Sequence, residues 1–333
     1  MINKKRKSVM LAALVIIFSI WGVALGAVED TIKERFEVGE GGTLTLDSEL
    51  GSIGVNAQRG NMVGIEVIRR VEVSSAKDAE EFLDNLRIEF SQDGKDVVVI
   101  TRIKDDSWDF LKSTKRKLKL RFVVTVPPKY NVDLKTSGGN VSVADLEGKV
   151  VAETSGGSLE FGNILGPVNG RTSGGGIGLR GCNRDVYLKT SGGGIDIGEV
   201  DGKVEARTSG GSIRIKKVKG SFFARSSGGS IEVGDAMGVL EAETSGGSIT
   251  ARISGQPQDA CRLETSGGSV NVYLAGYIKA DLDAKTSGGR ISTEFPVTIE
   301  GELRDDQLRA KINGGGPELF LRTSGGDITL RKL

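Results

Sequence analysis

Histidine is absent from the 333 residues. That excludes Ser-His-Asp and Cys-His catalysis and His-ligated metal sites. Cysteine is nearly absent, since Cys182 and Cys261 are too few for a disulfide framework. Proline is scarce, at 6 residues beside 49 glycines. Collagen, which needs glycine at every third position and abundant proline, is excluded on both counts. Charge excess is missing too. The whole chain carries +1; without residues 1–27, which hold Lys4, Lys5, Arg6 and Lys7 and no acid, 41 bases face 44 acids for −3. Nothing in that balance calls for nucleic acid as a partner.

What is present starts with that basic end. An apolar run from Val9 to Val28 follows it, broken only by Ser19, Gly22 and Gly26. The small residues at Leu25-Gly26-Ala27 suit a signal-peptide cleavage site. The run is also almost long enough to remain as a membrane anchor. Either way residues 28–333 are expected to be exported, to the envelope, the cell surface or the medium, with membrane contact only through residues 1–27.

Residues 28–130 read as a small β-rich capping domain with one helix. Alternating segments predict strands at 33–38, 43–46, 52–56, 63–73, 86–90, 96–103 and 118–126. Ser75 and Asp78 resemble a capping box, with Ala79, Phe82, Leu83 and Leu86 along one helix face. Ser48-Glu49-Leu50-Gly51-Ser52-Ile53 looks like a worn first copy of the repeat described next. Lys112, Lys115, Arg116, Lys117 and Lys119 form a basic cluster, read as a solvated loop or, more sharply, as a contact for an anionic surface.

Residues 131–333 are repetitive. Thr-Ser-Gly-Gly begins at Thr136, Thr154, Thr172, Thr190, Thr208, Thr244, Thr265, Thr286 and Thr323, with the near copy Ser226. The spacing is 18 from Thr136 to Thr244, then 21 and 21, and Asn313-Gly314-Gly315 resembles a decayed copy. Counting from the Thr, positions six and eight are apolar (Ile195 and Ile197, Ile213 and Ile215). So is position eleven, and position fifteen pairs with a small residue at seventeen (Val204 and Ala206). Each unit therefore holds two short strands with one buried face each. Glycines at the turns are expected to supply positive φ. An antiparallel meander would need an open sheet of about twenty strands, well beyond the usual limit of ~10. Stacking in parallel coils, ~4.8 Å apart, buries each apolar column on the next. The fold class expected is all-β, a parallel β-solenoid of 18–21 residues per coil.

The run Phe122-Val123-Val124-Thr125-Val126-Pro127 followed by Asp133-Leu134-Lys135-Thr136-Ser137-Gly138-Gly139 resembles a bacterial family of candidate adhesins with β-strand repeats, a domain of unknown function. The resemblance covers nearly the whole exported part. It implies a solenoid and an adhesin-like role, and it brings no catalytic residues.

Other chemistry fits poorly. Calcium-binding β-rolls need Asp beside their paired glycines, whereas Asn140, Ser158, Gly176, Gly194, Ser212 and Ser230 stand there. A phosphate loop needs a Lys and a following helix, and here a strand follows. No cofactor is expected. A polysaccharide-active parallel β-helix is the enzyme alternative, with Asp305 and Asp306 as a conceivable carboxylate pair in the spare length of 294–309. A cleft with convergent carboxylates would favour it. The preferred reading is a non-enzymatic scaffold or binding module of the cell envelope, presenting a long rigid surface to glycan, lipid or protein.

One surface stands out. The residue before each repeat Thr is always charged, and Arg171, Lys189, Arg207 and Arg225 would stack as four cations in a row. Like charges so placed repel, so folding does not ask for them. The next outward column contributes Asn169, Tyr187, Glu205 and Phe223. The plain reading is a solvated face. The functional one is a stripe for an anionic ligand, such as a phosphorylated envelope glycan or lipid headgroups, with Tyr187 and Phe223 as apolar platforms.

Overall fold

A computed structural model describes residues 22–24, 27–73, 76–104, 118–300 and 304–333. The apolar run up to residue 21, Ser75 of the expected capping box and the cationic residues at 112–117 lie outside the described residues. Lys119 lies inside them and is ion-paired to Glu72.

Period-two patterning becomes two long sheets, of 16 and 15 strands, that face each other across one core. Every coil gives one strand to each. In the Thr190 coil, Val186–Lys189 enters the second sheet just before the Thr, and Ile195–Val200 enters the first sheet just after the glycines. Pairing between 136 and 244 is parallel and advances one repeat at a time. Ile177, Ile195, Ile213 and Ile231 stand opposite one another, as do Val186, Val204, Phe222 and Leu240. This is the expected parallel solenoid, and the antiparallel meander is excluded. The inward columns are buried throughout, with Ile195, Ile213 and Val204 at 0% exposure. Each such side chain contributes roughly 1.5–3 kcal/mol of burial.

The repeat Thr points inward and is buried in every coil. Thr208 shows why. Its hydroxyl donates to the Gly193 carbonyl of the preceding coil at 2.7 Å and accepts the Gly211 N–H of its own turn at 3.3 Å. Thr190 repeats this with Gly175 and Gly193, and Ser226 with Gly211 and Gly229. One buried hydroxyl thus satisfies two backbone groups that a turn leaves unpaired. The column ends at Thr101, whose hydroxyl has no partner among the described residues.

The glycines act differently from the sequence-based expectation. None of the repeat Gly-Gly pairs has positive φ; at the second turn only Gly148 does. The second glycine of each pair instead lies flat on the turn below. A Cβ on Gly193 would collide with the Gly175 carbonyl, and one on Gly211 with Gly193. Close stacking of one turn on another, rather than a special dihedral, demands glycine here.

Both ends of the solenoid are closed by strands out of sequence order. At the N-terminal end, Thr43–Ser48 and Ser52–Ala57 form a coil against the Thr136 coil, with Ser48 in the place of the Thr. Asp96–Ile103 and Leu118–Val126 lie on its far side. Antiparallel strands Met62–Val71, Ala27–Glu37 and Gly22–Ala24 finish the first sheet and Leu86–Asp93 the second. The helix Ala76–Asp84 packs Ala79 into the core. At the C-terminal end the last coil, Glu318–Thr323 with Ile328–Lys332, does not follow the Thr286 coil outward. It inserts between the Thr265 and Thr286 coils, paired in parallel with both. The outer edge of Ala280–Thr286 is taken by antiparallel Gln307–Ile312. Asn313-Gly314-Gly315, expected as a decayed repeat, is the loop that carries the chain back into the slot. All three residues have positive φ, and Asn313 Nδ2 donates to the Gly276 and Ile278 carbonyls at 3.0 and 2.8 Å.

Candidate functional site

In the second sheet the residue before each Thr is flanked by inward neighbours, so it projects outward. Stacking order along this face is Lys135, Glu153, Arg171, Lys189, Arg207, Arg225, Glu243, Glu264, Arg322 and Lys285. The structure therefore brings the four expected cations together in register on adjacent strands. Three inter-strand steps of about 4.8 Å separate the first from the last, about 14 Å in all.

The four are not equivalent. The Arg171 guanidinium lies 5.1 Å from the centroid of the Tyr187 ring. Lys189 makes no ion pair among the described residues. Arg207 Nη2 meets Glu205 of its own strand at 2.9 Å, and Arg225 is ion-paired to Glu243 of the next coil. Phe223 is not the bare platform expected, because Lys203 Nζ sits 4.6 Å from its centroid. Tyr187 is likewise capped by Arg171. The rings act here as supports that hold cations in place, each contact worth roughly 0.5–1 kcal/mol at an exposed site. Lys203 thereby adds a fifth positive charge, which sequence reasoning missed. Its position just before inward Val204 was the available signal. Two hollows mark this face: one of about 320 Å³ beside Tyr187, Lys203 and Glu205, and one of about 250 Å³ beside Phe223, Arg207 and Arg225.

A further column runs alongside. Ser173, Ser191, Ser209 and Ser227 lie two residues beyond the four cations, exposed at the turn. Their hydroxyls have no hydrogen-bond partner among the described residues. In the later coils the same two columns share one hollow of about 300 Å³, lined by Glu243, Ser245, Glu264, Ser266, Arg322 and Ser324.

The first sheet's outer face differs in kind. A shallow groove of about 910 Å³ crosses it from Ser142 to Glu232. Its charges neutralise one another between coils: Arg214 reaches Asp196 at 3.3 Å and Glu232 at 3.7 Å, Arg180 reaches Asp145 at 3.4 Å, and Lys216 reaches Glu199 at 3.2 Å. Glu160 leans over the space that Gly178 leaves open, and burial, then Asp196, raises its carboxyl above the ordinary range. Asp196 and Glu232 share Arg214, so the groove does not direct two free carboxylates at one point. Asp305 and Asp306 sit beside the C-terminal coils, where their backbone carbonyls accept the Ile291 and Thr286 N–H groups.

No curated protein matches the chain. Among solved structures, a candidate lipid-binding protein from Parabacteroides distasonis ATCC 8503 is 12% identical, with 90% of this chain and 96% of that one covered at a TM-score of 0.35. A candidate adhesin from Parabacteroides merdae ATCC 43184 is 11% identical, with 91% and 96% covered at 0.33. Another, from Bacteroides fragilis NCTC 9343, is 11% identical, with 91% and 97% covered at 0.28. The adhesin-like resemblance of the repeat run agrees with a family match that takes in most of the chain: residues 70–331 match Toastrack DUF4097, and the chain belongs to that family.

Proposed function

We propose that this protein is a non-enzymatic binding module of the cell envelope, exported through residues 1–27, that takes an anionic ligand on Arg171, Lys189, Arg207 and Arg225. One observation carries the reading. Four like charges stand opposite one another on adjacent strands, an arrangement that works against sheet stability. On the first sheet Arg214, Lys216, Lys217 and Lys219 are each matched to a carboxylate one coil away, whereas here only Arg225 is so matched, Arg207 pairs within its own strand, and Arg171 and Lys189 pair with no carboxylate among the described residues. Among the described residues the regular coils raise no loops around either face, which suits extended binding rather than an enclosed reaction.

The test is the quadruple change of these bases to Gln, with folding checked by circular dichroism. Binding to anionic liposomes or envelope glycans falls and loses its salt dependence. Unchanged binding by the folded variant removes the stripe and moves the search to the Lys112–Lys119 cluster. Purified residues 28–333 turn over neither nucleotides nor esters; reproducible turnover would overturn the non-enzymatic reading.

A further inference from the structure

The positive run on the second sheet stops abruptly at both ends. Glu153 stands one coil before Arg171. Glu243 and then Glu264 stand directly after Arg225, and only beyond them does the column turn positive again at Arg322 and Lys285. A long polyanion laid along the solenoid would gain four cations and then meet Glu153 on one side and, on the other, Glu243 held by Arg225 and Glu264 held by Arg262 of its own strand, so the row offers it no free cation there. Turned across the solenoid, along one strand, it would meet a single member of the row. Neither course suits a long chain of charge.

The local chemistry narrows the ligand further. Each of the four coils presents a cation and, two residues on, an exposed serine hydroxyl without a protein partner among the described residues: Arg171 with Ser173, Lys189 with Ser191, Arg207 with Ser209, Arg225 with Ser227. A cation beside a hydroxyl donor suits a tetrahedral oxyanion, which offers several acceptor oxygens to charge-assisted hydrogen bonds. Four such pairs within about 14 Å ask for closely spaced oxyanions rather than isolated carboxylates. Arg207 and Arg225 are the guarded members, because Glu205 and Glu243 already hold them.

We propose that the ligand is a compact cluster of phosphate groups, spanning no more than four coils, and that Glu153, Glu243 and Glu264 set this length limit. The proposal rests on the anion-stripe reading above and adds to it the ligand's size, its phosphate chemistry and the residues that reject longer chains.

The probes are linear polyphosphates of defined length, titrated calorimetrically at two salt concentrations. Affinity rises with chain length until the chain covers the four coils, and then levels off. The variant Glu243→Gln/Glu264→Gln joins the row to Arg322 and Lys285. It shifts the plateau to longer chains and tightens the longest probe several-fold, on the order of one RT unit or more per removed repulsion. Both glutamates are at least partly exposed and lie outside the core, so the variant folds. Four outcomes separate the claims. No polyphosphate binding by the native protein overturns the phosphate assignment, and it overturns the stripe as well if anionic vesicles and glycans also fail. Binding that keeps rising past four coils, or a plateau that the double variant does not move, overturns the length limit alone. Vesicles of phosphatidylglycerol form the second arm. Release of the protein from them by a short polyphosphate assigns a headgroup source to the same residues. Vesicle binding indifferent to that competitor overturns the assignment of lipid phosphate to this row.

Discussion

Thr208→Val tests the inward hydroxyl column. Valine has nearly the shape of threonine and a higher strand preference, so shape and propensity both favour it. The hydroxyl it removes donates to the Gly193 carbonyl at 2.7 Å and accepts the Gly211 N–H at 3.3 Å. The donor bond is short and the accepted one is long, so the carbonyl dominates the loss. A buried acceptor left unpaired costs roughly 1–3 kcal/mol, and the long second bond adds less than a full hydrogen bond. The extra methyl of valine returns under about 1 kcal/mol. A net loss of about 2 kcal/mol is expected. Thr208→Ser keeps both bonds and removes one methyl, for about 1 kcal/mol including the small void. Ser226, which occupies the same place with the same two bonds, supplies the reverse arm. Ser226→Thr gains up to about 0.8 kcal/mol. Urea unfolding read by circular dichroism, with slopes compared across variants, measures all three. The stability order Thr208, then Ser, then Val supports the argument. Valine equal to or above serine would refute it and reduce the column to simple packing.

Four further outcomes follow from the geometry. Ile195→Asp places an unpaired charge in a column of 0% exposure and unfolds neighbouring coils, whereas Asp196→Asn one residue away is nearly neutral despite its 3.3 Å pair with Arg214, because both partners are mostly exposed; equal thermal melts would invert the assignment of faces. Gly193→Ala destabilises more than Gly192→Ala, since the first adds a Cβ inside the turn below and the second meets its nearest atom at 3.0 Å; equal losses would mean that stacking on the turn below does not single out the second glycine. Cys182 and Cys261 remain free thiols, buried and pushed up by burial, and their coils are four steps apart, about 19 Å against the ~7 Å that a disulfide tolerates; fewer than two thiols titrating after denaturation would break the coil register. Deleting 316–333 removes buried Leu319, Leu321, Ile328 and Leu330 and leaves an open slot between the Thr265 and Thr286 coils, so hydrogen exchange should rise across 261–299 while the coils from Thr136 to Ser226 stay protected; unchanged protection across 261–299 would contradict the inserted coil.

The sequence by itself determined the coil. An 18-residue period with apolar residues at fixed places favours parallel stacking over an open meander of about twenty strands, and Ile195, Ile213, Val204 and Ala206 could be placed inward by alternation alone. The same alternation put Arg171, Lys189, Arg207 and Arg225 outward and in register, because parallel stacking preserves position from coil to coil. Tertiary structure decided what a repeat cannot encode, namely order. Every coil offers the same edge, with the same Thr hydroxyl waiting for the same glycine carbonyl. Thr323 therefore bonds the Gly268 carbonyl at 2.6 Å as readily as Thr286 bonds Gly326 at 2.7 Å, and the last coil fits a slot its place in the sequence does not suggest. The role of the second glycine was hidden for a related reason: the atom that forbids a side chain there belongs to another coil. So was the capping of Tyr187 and Phe223. Arg171 reaches its ring from the neighbouring coil, as does Lys203, and only the stacking of one strand on the next brings a cation and a ring 16 or 20 residues apart into contact.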